Sequence, residues 1–267
     1  MKPTELFEAG KLADAIDAAT QLVKSRPTEV EARGFLVQLL CFSGDLERAD
    51  KQLDTMSHQS PETAVGVALL RQLVRGEQSR EQVFSTGRMP EFLDAPPDYL
   101  QLHLKATIAL REQDAAAAAS YLAEAETAAP AVSGTCNGES FTGQRDLDDV
   151  TSCFAEVMTS TGKYFWIPYA QITSIEFHAP ERPLDLLWRR ARMIVRGGPD
   201  GEVYLPAIYH GTSAQQDEAL QLGRATDWIG DEQTAVRGVG QRMLLFGDRE
   251  HALLDLQHVE ITPPETT

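Results

Sequence analysis

Apolar and polar positions change their spacing once along this chain, near Pro130. Before it, apolar residues recur three and four apart in a background of Ala, Leu, Glu, Gln and Arg. That period lines them up on one side of a helix. In "EARGFLVQLLCF" it puts Phe35, Leu36, Leu39, Leu40 and Phe42 on one broad apolar face. "DAAAAASYLAEAETAA" predicts a helix by propensity alone, with alanines small enough to admit a close neighbour. Past residue 144 the period shortens towards two. In "ITSIEFHAP", Ile175 and Phe177 alternate with Ser174, Glu176 and His178. "YFWIPY", "RMIVRG", "EVYLP", "QRMLLFGD" and "LLDLQHVEI" are further short runs with turn residues at their ends, as strands have. Among them "SAQQDEALQLGRATDWI" predicts one helix from Ser213 to Gly223. The stretch "AVSGTCNGESFTGQ", residues 131–144, is rich in Gly, Ser and Thr and reads as a linker. The predicted class is α+β: an all-α region over 1–130, the linker, and a compact strand-rich α+β domain over 145–267.

The helical region repeats. Gly10 matches Gly44, Leu12 matches Leu46, Ala15 matches Ala49 and Pro27 matches Pro61, each 34 residues apart. A third copy starts at Gln113, with Ala118 and Pro130 in the alanine and proline places, and the copy between, around "GEQSREQVF", is worn. A helical period of 34 resembles the tetratricopeptide repeat, a helix–turn–helix unit. The glycine serves a left-handed turn, the alanine lets two helices cross closely, and the proline ends the unit. Arg33 stands where the repeat favours Trp, and Arg71 where it favours a small residue.

Charge narrows the classes of partner. The formal net charge is −16, shared as 20 acids against 13 bases up to residue 130 and 20 against 11 beyond it. Such a surface repels a phosphate backbone, which argues against nucleic acid. No apolar run is long enough to span a membrane, and "MKPTELFEAGK" lacks a secretory h-region, so the expected location is the cytoplasm. Cys41, Cys136 and Cys153 form no paired spacing and read as reduced thiols.

Chemistry is sparse. "GVG" at Gly238–Gly240 lacks the third glycine of a dinucleotide loop, having Met243 there, and leads into a strand. His251 and His258 belong to no metal-ligand array. Asp146, Asp148 and Asp149 could hold a cation, but no calcium-loop pattern follows, and a solvated acidic entry to the second domain is the plainer reading. Arg189, Arg190, Arg192 and Arg196 cluster in "WRRARMIVR", where pairing with acids of the same chain is expected. "YFWIPY" carries apolar groups on both faces: buried, it is a core strand; exposed, Tyr164 and Trp166 form an aromatic docking strip.

"QLLCFSGDLERADKQLD", "YFWIPYAQITSIEF", "DLLWRRARMIVRGGPDGEVYLPAIYHGT", "LQLGRATDW", "VRGVGQRMLLFGD" and "LLDLQHVEI" follow one another as in the ImpE/SciE (TagJ) family, which this sequence resembles. Members are accessory proteins of bacterial type VI secretion systems. The resemblance implies a non-enzymatic adaptor without cofactor or metal. Its partner would be the sheath subunit TssB, held by a helix near the TssB N-terminus, and with it the TssB–TssC sheath and the ClpV ATPase that dismantles it. The repeat's concave positions, Gln38, Gln72, Arg75, His103 and Thr107, are the candidate groove for that helix. A repeat adaptor or chaperone for another protein assembly, or an enzyme with a hydrolase-like second domain, are the alternatives.

Overall fold

The computed structural model describes residues 1–59, 64–231 and 234–263. Helices α1 (Pro3–Glu8) and α2 (Leu12–Ser25) form the first pair, and α3 (Val30–Phe42) and α4 (Leu46–Gln59) the second. A single long helix α5 (Ala64–Ser85) follows, then a third pair, α6 (Asp98–Arg111) and α7 (Ala115–Ala128). Gly10 and Gly44 turn the chain with φ +78° and +73°. The next amide then reaches back five residues, Lys11 N to Leu6 O and Asp45 N to Leu40 O, both at 2.9 Å. Gln113 takes the same conformation, φ +62°, and Asp114 N reaches Ala109 O at 2.9 Å. The third copy therefore keeps the backbone of the turn without its glycine. Ala15, Ala49 and Ala118 are all 0% exposed, as a close helix crossing requires. Pro61 lies outside the described residues.

The worn copy has lost its turn altogether, since α5 runs straight through it. Gly76 lies mid-helix, where a Cβ would stand 3.1 Å from Met158 Sδ of the second domain. Its glycine serves a helix–sheet approach instead of a turn. The two departures from the repeat pattern are polar ties. Arg33 donates to Pro27 O at 2.8 Å and to Gln52. Arg71 clasps Asp50 at 2.9 Å and Asp54 at 3.0 Å, fixing α5 to α4.

The second half is a sheet domain. An eight-stranded antiparallel sheet runs β2-β1-β13-β6-β7-β8-β4-β5 among the described residues. In chain order its strands are β1 (Ser133–Cys136), β2 (Glu139–Thr142), β4 (Phe154–Thr159), β5 (Tyr164–Pro168), β6 (Ile172–Phe177), β7 (Trp188–Val195), β8 (Asp200–Pro206) and β13 (His258–Ile261). A second sheet joins β3 (Gln144–Asp146), β11 (Met243–Phe246) and β12 (Arg249–Ala252), while β9 (Thr226–Ile229) and β10 (Arg237–Gly240) form a hairpin. One core lies between the two sheets, with Val157, Ile175 and Met193 under Leu244, Phe246 and Leu253. The other is shared with the helices: Leu36, Leu40 and Val74 pack in one cluster with Phe154, Trp166 and Trp188.

The expected linker is not one. Residues 133–142 form the β1–β2 hairpin, and β1 pairs with the final strand β13, joining the start of this domain to its end. Asn137 and Gly138, at φ +50° and +86°, make the two-residue turn that such a dipeptide favours. Gly134 is required by crowding, because a Cβ there would strike the Glu260 carbonyl. The predicted helix from Ser213 to Gly223 is also shorter than expected. A 3-10 turn at Thr212–Ala214 precedes α8 (Glu218–Gln221), and Asp217 caps α8 by accepting from Ala219 N at 2.8 Å. Gly223, with φ +64°, does end it.

The turn glycines differ in what they face. A Cβ at Gly44 would stand 2.8 Å from Ser213 Oγ in the sheet domain, whereas Gln113 is exposed. Gly44→Ala should therefore lower stability by about 1–3 kcal/mol, combining a left-handed backbone with a clash. Gln113→Gly should raise it by roughly 0.5 kcal/mol, the left-handed relief being partly offset by a freer unfolded chain. Urea-unfolding midpoints check both signs.

Candidate functional site

The inner face of the helical repeat is already occupied. Helix α5 packs along β4 and β5, α6 meets the loop before β4, and α3 meets the short turn before β7. Gly162, between β4 and β5, lies so close that a Cβ would stand 2.6 Å from Gln72 Oε1 and 3.4 Å from Arg75 Cβ. His103 is fully buried, its Nδ1 2.9 Å from Val150 O and its Nε2 3.0 Å from Cys153 Sγ. Thr107 is buried and its hydroxyl returns to Leu104 O at 2.7 Å. Gln38 is half-buried, with its Oε1 enclosed and unpartnered among the described residues. Of the five candidate groove residues only Arg75 is exposed. The periodicity identified the concave positions; it carried no sign that the chain's own sheet domain closes over them.

The aromatic strip also turns inward. Tyr164 and Trp166 are 2% and 0% exposed. Trp166 Nε1 donates to Tyr164 Oη at 2.8 Å, and Tyr164 donates to Glu156. Glu156, on β4, also takes Arg80 Nε at 2.7 Å and Nη2 at 3.1 Å, together with Arg242. Arg80 comes from α5 and further donates to Glu77 at 2.9 Å and Ile208 O at 3.1 Å. Trp188 Nε1 completes that end by donating to Glu77 at 2.8 Å. At the other end Arg242 Nη1 lies 3.2 Å from Asp146 Oδ2, at an angle that makes no hydrogen bond. Asp146 Oδ1 accepts from Tyr209 Oη and from Asp148 N, both at 2.9 Å.

Glu156 and Asp146 titrate unlike free carboxyls. Burial by itself would raise the Glu156 carboxyl, but Arg80 and then Arg242 outweigh it and hold it well below the usual range. For Asp146 burial wins over Arg242, and its pKa rises to about 6. The acidic run is thus no solvated entry. Asp148 is buried, pairs with Arg237 at 2.9 Å and accepts from Val150 N and Gly238 N. Asp149 pairs with Arg145 at 2.6 Å and accepts from Val236 N. Of the arginine cluster, Arg190 pairs with Glu202 at 2.6 Å and Arg192 with Asp200 at 2.8 Å. Arg196 is exposed, and the enclosed Arg189 donates to Leu256 O at 3.5 Å. Gly238 and Gly240 lie in β10, where a Cβ at Gly238 would enter the Tyr209 ring.

One pair has a nucleophilic look that sequence spacing could not show. The Val150 carbonyl can only accept, so His103 carries its proton on Nδ1 and its Nε2 accepts from the Cys153 thiol. Burial drives Cys153 up to about 12 and His103 down to about 4. Both stay neutral near pH 7, which disarms the sulfur as a nucleophile. No group of three or more metal-binding side chains converges among the described residues.

An open apolar groove lies at the seam between the halves. It has a volume of about 370 Å³. Leu53 and Met56 of α4 and Val67, Leu70 and Leu73 of α5 form one wall; Leu184, Trp188 and Tyr204 form the other. Arg182 and Asp185 stand beside the second wall.

Comparison with known proteins follows this division. The family model described as ImpE protein matches residues 138–260, and a tetratricopeptide-repeat model matches residues 6–73. The type VI secretion system accessory component TagJ of Pseudomonas aeruginosa is 31% identical over 98% of this chain and 91% of its own length. The chain belongs to the ImpE family. A crystal structure of a Vibrio parahaemolyticus protein superposes with a TM-score of 0.92 at 26% identity, covering 98% of each chain. In this ImpE chain the family match opens at the β1–β2 turn and closes in β13, so it spans the sheet domain. The repeat match covers the first two helix pairs and stops within α5.

Glu156→Gln should cost this ImpE protein about 3–5 kcal/mol, because it leaves Arg80 and Arg242 buried with their shared charge removed. Asp146 gives a pH signature. A carboxyl raised in the folded state contributes stability that is full below pH 3.8 and lost as pH rises through about 6. Between pH 7 and pH 4 this group should add up to about 3 kcal/mol, a gain that Asp146→Asn removes. Denaturant unfolding at several pH values measures the difference.

Proposed function

We infer that this protein is a non-enzymatic accessory component of a type VI secretion system. It holds the N-terminal helix of the sheath subunit TssB and assists the ClpV ATPase in handling the contracted TssB–TssC sheath. The carrying observation is the 31% identity to TagJ across 98% of the chain. The physical features agree with work by contact. A helical scaffold is locked to a sheet domain, the Cys153–His103 pair is neutral, and an apolar groove opens at the seam. The net charge of −16 disfavours a phosphate-rich partner. No helix among the described residues is long and apolar enough to cross a membrane.

A peptide of the TssB N-terminal helix should bind the full chain with a dissociation constant of tens of micromolar or tighter, roughly −6 kcal/mol or better. Isothermal titration with both partners folded reads this directly. No binding at that concentration removes TssB as the partner.

A further inference from the structure

Tyr209 has more neighbours than its hydroxyl can serve at once. Its Oη lies 2.9 Å from Asp146 Oδ1, 3.0 Å from Met243 O and 2.9 Å from Met243 N. The Met243 amide can only donate, and the Met243 carbonyl can only accept. One phenol proton therefore faces two acceptors whenever Asp146 is ionised. It goes to the carboxylate, because a charge-assisted bond is the stronger one. The Met243 carbonyl then keeps Leu147 N as its donor, at 3.1 Å.

Two features of the surroundings favour a proton on Asp146. The first is charge. The buried cluster holds the guanidinium groups of Arg80 and Arg242 against the carboxyls of Glu77, Glu156 and Asp146. It is neutral only when one of those carboxyls carries a proton. Glu156 accepts from both arginines, and Glu77 accepts from Arg80 and Trp188, which leaves Asp146. Asp148, next to it in the chain, has Arg237 for itself. The second feature is an orphaned oxygen. Asp146 is 0% exposed, and its Oδ2 lies 3.2 Å from Arg242 Nη1 without receiving a hydrogen bond. An ionised oxygen left so is far more costly than the carbonyl oxygen of a neutral carboxyl. The pKa of Asp146 agrees, raised to about 6 by burial first and Asp148 in addition, against the pull of Arg242. Tyr169, the other buried phenol near this carboxyl, is pushed up by burial and stays protonated.

We propose that Asp146 is a proton switch for Tyr209 at the joint between the two halves. With the proton bound, Asp146 Oδ1–H donates to Tyr209 Oη, and the phenol turns its own proton to Met243 O. Tyr209 then accepts two hydrogen bonds and donates one, Oδ1 keeps the Asp148 amide at 2.9 Å, and the cluster is neutral. When the proton leaves for solvent, the phenol turns back and donates to the carboxylate. Only hydrogens change place. The segment that responds is fastened to α5 on either side of Tyr209. Ile208 O accepts from Arg80 Nη2 at 3.1 Å, and His210 Nε2 lies 3.1 Å from Glu81 Oε2. A raised carboxyl by itself makes stability depend on pH; the switch adds a change at Tyr209 that a lone titrating group would not produce.

NMR of the full chain, labelled with carbon-13 at aspartate Cγ and tyrosine Cζ, tests this. Both signals are assigned in the unaltered chain, so the first result stands even where a variant does not fold. The Asp146 signal should titrate with a midpoint between about pH 5 and 7, and the Tyr209 signal should follow the same midpoint. In Asp146→Asn, whose amide imitates the protonated carboxyl, the Tyr209 signal should stay constant across that range. Tyr209→Phe takes a donor from the ionised carboxylate, so the Asp146 midpoint should rise by about one pH unit. A tyrosine with a merely structural role would leave that midpoint in place. The proposal is overturned by an Asp146 signal that does not titrate in this range. It is equally overturned by a Tyr209 signal that ignores pH, or by one whose midpoint survives in Asp146→Asn.

Discussion

The pairing of Arg80 with Glu156 is the contact on which the arrangement of this molecule depends. One partner comes from helix α5 of the repeat and the other from strand β4 of the sheet, and both are sealed from water. Burying either alone would cost several kcal/mol, so each half needs the other to be electrostatically tolerable. Glu77 and Trp188 extend the chain of contacts on one side, Arg242, Asp146 and Tyr209 on the other. Three carboxylates share two guanidinium groups there, and the imbalance falls on Asp146, whose ion pair makes no hydrogen bond. The two halves accordingly share a core, with Leu36 and Val74 in the same apolar cluster as Trp166 and Trp188.

This closure changes what a tetratricopeptide-like repeat does here. Such repeats commonly receive a partner on the concave side. Here Gly76 and Gly162 bring backbone against that side, and Gln72, Arg75 and His103 meet the sheet domain. The repeat acts as a cradle for its own C-terminal half. An ImpE protein built so depends on the buried charges that hold its halves in register.

Much of the helical half was legible in the sequence, because its determinants are local. The 34-residue spacing of Gly10 and Gly44 gave the turns, and Ala15, Ala49 and Ala118 gave the crossings. Even Gln113 was found by spacing, although its left-handed backbone carries no glycine. The sheet half was legible as strands and not as topology. The Asn137–Gly138 turn was there to be seen, yet a Gly- and Ser-rich stretch reads as a linker until β13 is beside it. Gly134 has its meaning only through the Glu260 carbonyl, 126 positions away in the chain.

Charged and aromatic side chains mark the boundary most sharply. Asp146, Asp148 and Asp149 look like a solvated run, and Tyr164 and Trp166 fit a docking strip or a core strand equally well. Sequence fixes their alternation along the strand; it does not say what lies opposite. Only the folded chain brings Arg237 to Asp148 and Arg242 to Asp146, 89 and 96 positions away. By itself the sequence determined the helix pairs and the strand-rich second half, which follow from periodicity, and the resemblance to the family, which lies in the order of its motifs. Tertiary structure alone decided which faces are inside, because burial is a property of a neighbour and not of a residue.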